Sequence, residues 1–199
     1  MWDKHGRGAM LGGMSVRPIR LFGDPILRSV ATEISDFDRS VERLVTDLCD
    51  TLVDANGAGL AAPQIGVGLR AFAFVTVDPE DPEHRNIRHI INPVIVEQSD
   101  DEVDGPEGCL SIPALTYDLR RPRRVVARGF DVHGEPISIE GTERLARCLA
   151  HETDHLDGVL FIDRLEPEVR KRARREIREM LMAGADIKVK ASPHGGFVG

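Results

Sequence analysis

The sequence predicts an α+β fold: mainly antiparallel sheets packed around a central helix, with one helix before the strands and one after. Three observations carry this. Apolar residues recur at helical spacing in three separated stretches, near 39–55, 142–158 and from Pro167 onward. Between the first two lie short apolar or alternating runs punctuated by Gly, Pro and Asp, as strands and turns are. The resulting order of helix, strands, hairpin and helix suits one helix packed into an antiparallel sheet.

The elements follow in order. "MWDKHGRGAMLGGM" is Gly-rich and lacks the apolar segment and cleavage site of a secretory signal. It reads as a flexible lead-in over 1–15, with Met10 or Met14 as alternative starts. Val41, Leu44, Val45, Leu48, Leu52 and Val53 predict a helix over 39–55, opened by Asp38 and ended by Gly57. "GAGLAAPQIGVG" (57–68) is too Gly-rich for a helix and reads as a shaped loop. "RAFAFVTV" (70–77) is a buried strand and "DPEDPEH" a loop. "HIINPVIVEQ" (89–98) is a second strand in which Pro93 implies an edge or a bulge. "SDDEVDGPEG" reads as an acidic loop leading to Cys109, and "RRVVARGFDVHGEPISIEG" as a hairpin turning at His133-Gly134. Thr142 is positioned to cap a helix containing Leu145, Cys148, Leu149 and Leu156, which Gly158 closes. Pro167 opens a last helix with Val169, Ile177, Met180 and Leu181, and a flexible tail follows over 183–199. Residues 16–182 are expected to form a single catalytic domain.

Composition narrows the function. A chain of 199 residues, 41% hydrophobic and 30% charged, can build one sizeable core. A net charge of −7 argues against specific DNA binding, which needs a basic face. No apolar run reaches the roughly 18 residues that cross a bilayer, so no membrane partner is expected. Three cysteines, Cys49, Cys109 and Cys148, are an odd number that suits a reducing cytoplasm, with a thiol free to act as a ligand.

The chemistry concentrates in "RCLAHETDHLDG" (147–158). His151 and His155 are four apart, so on a helix both imidazoles reach one ion, and Glu152 falls beside it. H-E-x-x-H reads as two ligands plus a general base, against the alternative of chance histidines on a solvated face. The third ligand is less local. One group of zinc proteases continues to a third histidine, but this chain follows the pattern only to Gly158 and then has Phe161. Another group uses a later glutamate, and Glu176 lies in about the right region. Cys148, one turn before His151, stays open, with a buried core thiol as its plainer reading. Cys109 is favoured because it approaches from another element, where Gly108 permits close backbone approach.

Three segments, "GAGLAAPQIG" (57–66), "EGCLS" (107–111) and "HETDH" (151–155), resemble the signature segments of peptide deformylase, in that family's order. "LFGDPILR" (21–28) resembles its start and "RVVARGFDVHGEP" its hairpin, so the likeness spans about 16–165. The resemblance implies Cys109 as third ligand beside His151 and His155. It implies one divalent metal ion, natively Fe2+, with Zn2+, Ni2+ or Co2+ as substitutes. It implies removal of the formyl group from N-formylmethionyl peptides, with Glu152 as acid and base. The Leu110 N–H and the Gln64 amide would stabilise the oxyanion, although Gln64 reads equally as a surface amide in a turn. Gly59 and Gly108 would contact substrate, and Arg121 would pair with Asp154 to steady the metal helix. The chain departs from the family at Leu119-Arg120-Arg121, often Val-Pro-Arg, and at Ala150, often Gln. Arg147 and Ala150 would border the methionine pocket. Two rivals stand beside this reading: a zinc peptidase cutting internal bonds, and a non-catalytic metal-binding protein. The basic last helix, with Arg170, Lys171, Arg172, Arg174, Arg175 and Arg178, reads as a transient ribosome contact or as a solvated face.

Overall fold

A computed structural model of the chain describes residues 15–77, 81 and 85–182. The tail, the lead-in apart from Ser15, and most of the loop at 78–84 lie outside the described residues. Asp38 opens helix α1 (Arg39–Ala55) by accepting a 2.8 Å hydrogen bond from the Ser40 N–H. Asn56, left-handed at φ 49°, ends it one residue before Gly57.

Five strands form one antiparallel sheet in the order β1 (Gly59–Ala61), β2 (Ala71–Val77), β3 (Arg85–Gln98), β6 (Arg124–Phe130) and β7 (Pro136–Thr142). Two more, β4 (Glu102–Cys109) and β5 (Ile112–Pro122), form a separate antiparallel ribbon. The loop expected over 57–68 thus contains a short edge strand, β1, followed by a single 3-10 turn, Ala62–Ile65. Pro93 marks a bulge: β3 pairs with β2 up to Ile91 and with β6 from there on, and the register breaks between Ile91 and Val94. The hairpin turns where expected. Asp131 Oδ1 accepts from the N–H groups of His133 and Glu135, and Gly134 has φ 81°.

Two local expectations need correcting. The acidic segment expected as a loop is strand β4 from Glu102 onward. Its residues alternate in exposure, with Glu102, Asp104 and Pro106 outward, but its Gly, Pro and carboxylates have poor strand propensity. Pairing with β5 overrides that preference. Thr142 does stand at the start of helix α2 (Glu143–Leu156), yet its side chain makes no cap hydrogen bond. Instead the helix continues directly from β7, and the Glu143 N–H donates to the Arg123 carbonyl at 2.7 Å.

Alternate residues of β2 feed two cores. Ala71 and Ala73 pack with Leu44, Leu48 and Leu52 of α1, whereas Phe72 and Phe74 pack with Ala146, Leu149 and Leu156 of α2. The two helices therefore cover opposite faces of the sheet. The ribbon lies against α2 as well, so every residue from Ala146 to Leu156 is buried. A third core joins the ribbon's Leu119 and Ile112 to Phe161, Leu165 and helix α3 (Pro167–Met182) through Ala173 and Ile177. The fold is α+β with a central helix. No helix among the described residues is long and apolar enough to cross a membrane.

Candidate metal centre

His151 and His155 leave α2 one turn apart, with ring centroids separated by 4.9 Å. Cys109 ends β4 just before the Leu110–Ser111 turn, and its Sγ lies 3.2 Å from His155 Nε2. One ligand atom from each of Cys109, His151 and His155 falls within 4.8 Å of the others, and all three residues are buried. The other candidates lie elsewhere. Cys148 Sγ faces the Ala58 carbonyl at 3.5 Å, and burial pushes its thiol well above the ordinary range. Glu176 accepts from the Tyr117 hydroxyl at 2.5 Å, and Phe161 stacks on the His151 ring.

The donor set suits a divalent cation. Burial and the neighbouring His151 hold His155 well below the usual imidazole pKa, which keeps the ring neutral, the form that can bind a metal. Both oxygens of Glu152 are buried without a hydrogen-bond partner among the described residues. Burial pushes that carboxyl up to about 7, a value that suits proton exchange near neutrality. A soft thiolate with two imidazoles is a set that accepts Fe2+, Zn2+, Co2+ or Ni2+.

A buried charge network surrounds these residues. Glu107, fully buried on β4, accepts from His151 Nδ1 at 2.7 Å, which leaves Nε2 as the nitrogen of that ring able to face a metal. Arg121 grips the same carboxylate with Nε at 3.0 Å and Nη2 at 2.7 Å, and its Nη1 donates to Asp154 at 2.8 Å. Arg164 caps Asp154 from the other side at 2.6 Å. Burial works against the charge on Glu107, but His151 and Arg121 outweigh it and hold the carboxyl far below its usual range. Sequence reasoning missed Glu107. It lies two residues before Cys109 on the same strand, and that signal was hidden by reading the segment as a loop.

Gln64 is buried in the 3-10 turn and is not a surface amide. Its Oε1 accepts from the Ala61 N–H at 2.7 Å, and Nε2 lies 3.3 Å from Ser111 Oγ and 3.6 Å from Cys109 Sγ. Leu110 follows Cys109 in the ribbon turn, and Gly108 is buried in β4 opposite Thr116. Gly59 lies in β1, where a Cβ would stand 2.3 Å from Glu152 Oε1 and 2.8 Å from Cys148 Sγ. Ala150 is buried, and the Arg147 guanidinium points into the ribbon.

The polypeptide deformylase family model matches residues 16–171. A peptide deformylase of Acidothermus cellulolyticus is 55% identical over 91% of this chain and 96% of that protein. Among solved structures, the Legionella pneumophila peptide deformylase is 38% identical over 87% of this chain and 99% of its own, with TM-score 0.75. A type b peptide deformylase of Acinetobacter baumannii is 30% identical over 75% of this chain and 98% of its own, with TM-score 0.69. A match of this extent, over a core that converges a cysteine with an H-E-x-x-H pair, leaves one assignment: the chain belongs to the polypeptide deformylase family.

Proposed function

We propose that this hydrolase removes the formyl group from the N-formylmethionine of newly made polypeptides and releases formate. The observation that carries the reading is the convergence of Cys109, His151 and His155 beside the Glu152 carboxylate, which has no hydrogen-bond partner among the described residues. In this reading the three residues hold one divalent ion, Fe2+ as the resident metal. When bound, such an ion supplies Lewis acidity that makes water a nucleophile near neutral pH.

The chain's own groups do the rest. Glu152 takes a proton from the attacking water as the new C–O bond forms, then delivers it to the amine as the C–N bond breaks. Charge develops on the formyl oxygen in between. The Gln64 amide, anchored through Ala61, and the Leu110 N–H are the donors assigned to it. The peptide runs along β1, an edge of the sheet, with Gly59 and Gly108 allowing close approach. Arg121 and Asp154 hold α2 to the ribbon and keep the histidines in register. The Acinetobacter structure has Met-Ala-Ser bound, which supports a methionine-first peptide as the substrate class here.

A zinc peptidase would take its third ligand from a glutamate or histidine, but Glu176 is committed to Tyr117 and Phe161 occupies the remaining place. Three unpaired cysteines suit a reducing cytoplasm. Exposed Lys171, Arg172 and Arg175 on α3 would carry a transient ribosome contact. The decisive test is anaerobic purification with elemental analysis and a formyl-Met-Ala-Ser assay. Stoichiometric metal and formate release are expected, with both lost in Cys109→Ser. No turnover by the iron-loaded wild type, or full metal content in the serine variant, would overturn the reading.

A further inference from the structure

The ligands of the candidate centre arrive on separate elements, Cys109 on the ribbon and the two histidines on α2. Among the described strands, β4 and β5 pair only with each other, so no ladder ties them to the sheet that α2 packs on. At the ribbon's base the Glu143 N–H meets the Arg123 carbonyl, and along the ribbon's length side chains make the tie. Arg121 runs from ribbon to helix, reaching Asp154. Arg147 runs the other way, from helix to ribbon. The residue is 5% exposed, and its guanidinium donates to Glu107 Oε2 at 3.1 Å, to the Leu119 carbonyl at 2.7 Å and to the Val103 carbonyl at 3.0 Å. It thus holds the backbone of both ribbon strands and ends on the carboxylate that orients His151. Gly105 makes room for it, since a Cβ there would stand 3.0 Å from Arg147 Nη2.

We propose that Arg147 is a positioning residue of the metal centre: it latches the ribbon to α2 and so sets the distance between the Cys109 thiolate and the two imidazoles. The proposal rests on the assignment of Cys109, His151 and His155 as ligands. A planar fork that reaches three acceptors cannot be replaced by the point charge of lysine. Loss of Arg147 leaves Glu107 paired with Arg121, so the buried charge keeps a partner while the ribbon gains freedom to shift.

The test uses the purified protein reloaded with Co2+, following the thiolate-to-cobalt absorption band and the rate of Co2+ loss to excess chelator. Circular dichroism checks the fold. Arg147→Met is expected to release Co2+ about 10- to 100-fold faster than wild type and to shift the band, with Arg147→Lys in between. Arg120→Met, which removes an exposed ion pair on the same ribbon, should match wild type. A folded Met variant with the wild-type rate and band overturns the latch. If the Met variant does not fold, the Lys variant decides alone, and wild-type behaviour from it is fatal. A wild type that takes up no Co2+, or a Cys109→Ser variant with an unchanged band, overturns instead the ligand assignment beneath the proposal.

Discussion

Glu152 holds two buried oxygens without hydrogen-bond partners among the described residues, a costly arrangement that core packing alone does not explain. Glu152→Ala should therefore cost about 10²–10⁴ in kcat while leaving thermal stability unchanged or raised. Formate release and the melting curve check both halves, and an active variant would remove Glu152 from the reaction. Gly59 serves the same residue by having no side chain. A methyl group there meets the carboxylate and the Cys148 sulfur inside contact distance, with Leu60 and Ala61 buried beside it. Gly59→Ala should cost about 1–3 kcal/mol by overpacking, read from urea denaturation, and should lower kcat by displacing Glu152. A variant with wild-type stability and rate would show that the site relaxes freely.

Helix α2 is as much a structural axis as a carrier of ligands. It is entered directly from β7 and left through Gly158, which adopts φ 71°. A Cβ there would lie 2.7 Å from the Arg28 carbonyl oxygen. Gly158→Ala combines left-handed strain with that clash, and should destabilise by at least about 1–2 kcal/mol. The melting temperature should fall by about 4 °C, and a differential scan that shows no shift would refute the argument. The ribbon is the contrasting element. Its Gly, Pro and acidic residues do not favour a strand, and it becomes one only by pairing β4 with β5 and packing on α2 and α3.

Across the whole molecule, the sheet face away from the metal centre has its own acid-sensitive contact. The His89 ring accepts a hydrogen bond from the Val132 N–H at 3.1 Å, anchoring the β6–β7 hairpin to β3. Burial lowers its pKa to about 4; Asp131 opposes the shift, and Arg88 and His133 reinforce it. The folded state therefore holds His89 neutral. Its contribution is complete above the unfolded value near 6.5 and is lost as pH falls through that value toward 4. Allowing for the ring's partial exposure, about 2 kcal/mol should disappear over that window. His89→Gln, which can still accept from Val132, should flatten that part of the stability–pH curve. An unchanged slope in the variant would assign the acid sensitivity elsewhere.

The sequence by itself determined the α+β class, the three helices and the hairpin, because helical periodicity, the capping Asp38 and the turn at Gly134 are local signals. It also placed His151, Glu152 and His155 on one helix, since one-turn spacing is a property of the chain. Only the tertiary structure decided that β4 is a strand, that Glu107 stands behind His151, and that Arg147 crosses from helix to ribbon. Glu107 and His151 are 44 positions apart along the chain, and so are Val103 and Arg147. Contacts at such separation are set by how elements pack, and no local pattern along the chain encodes them.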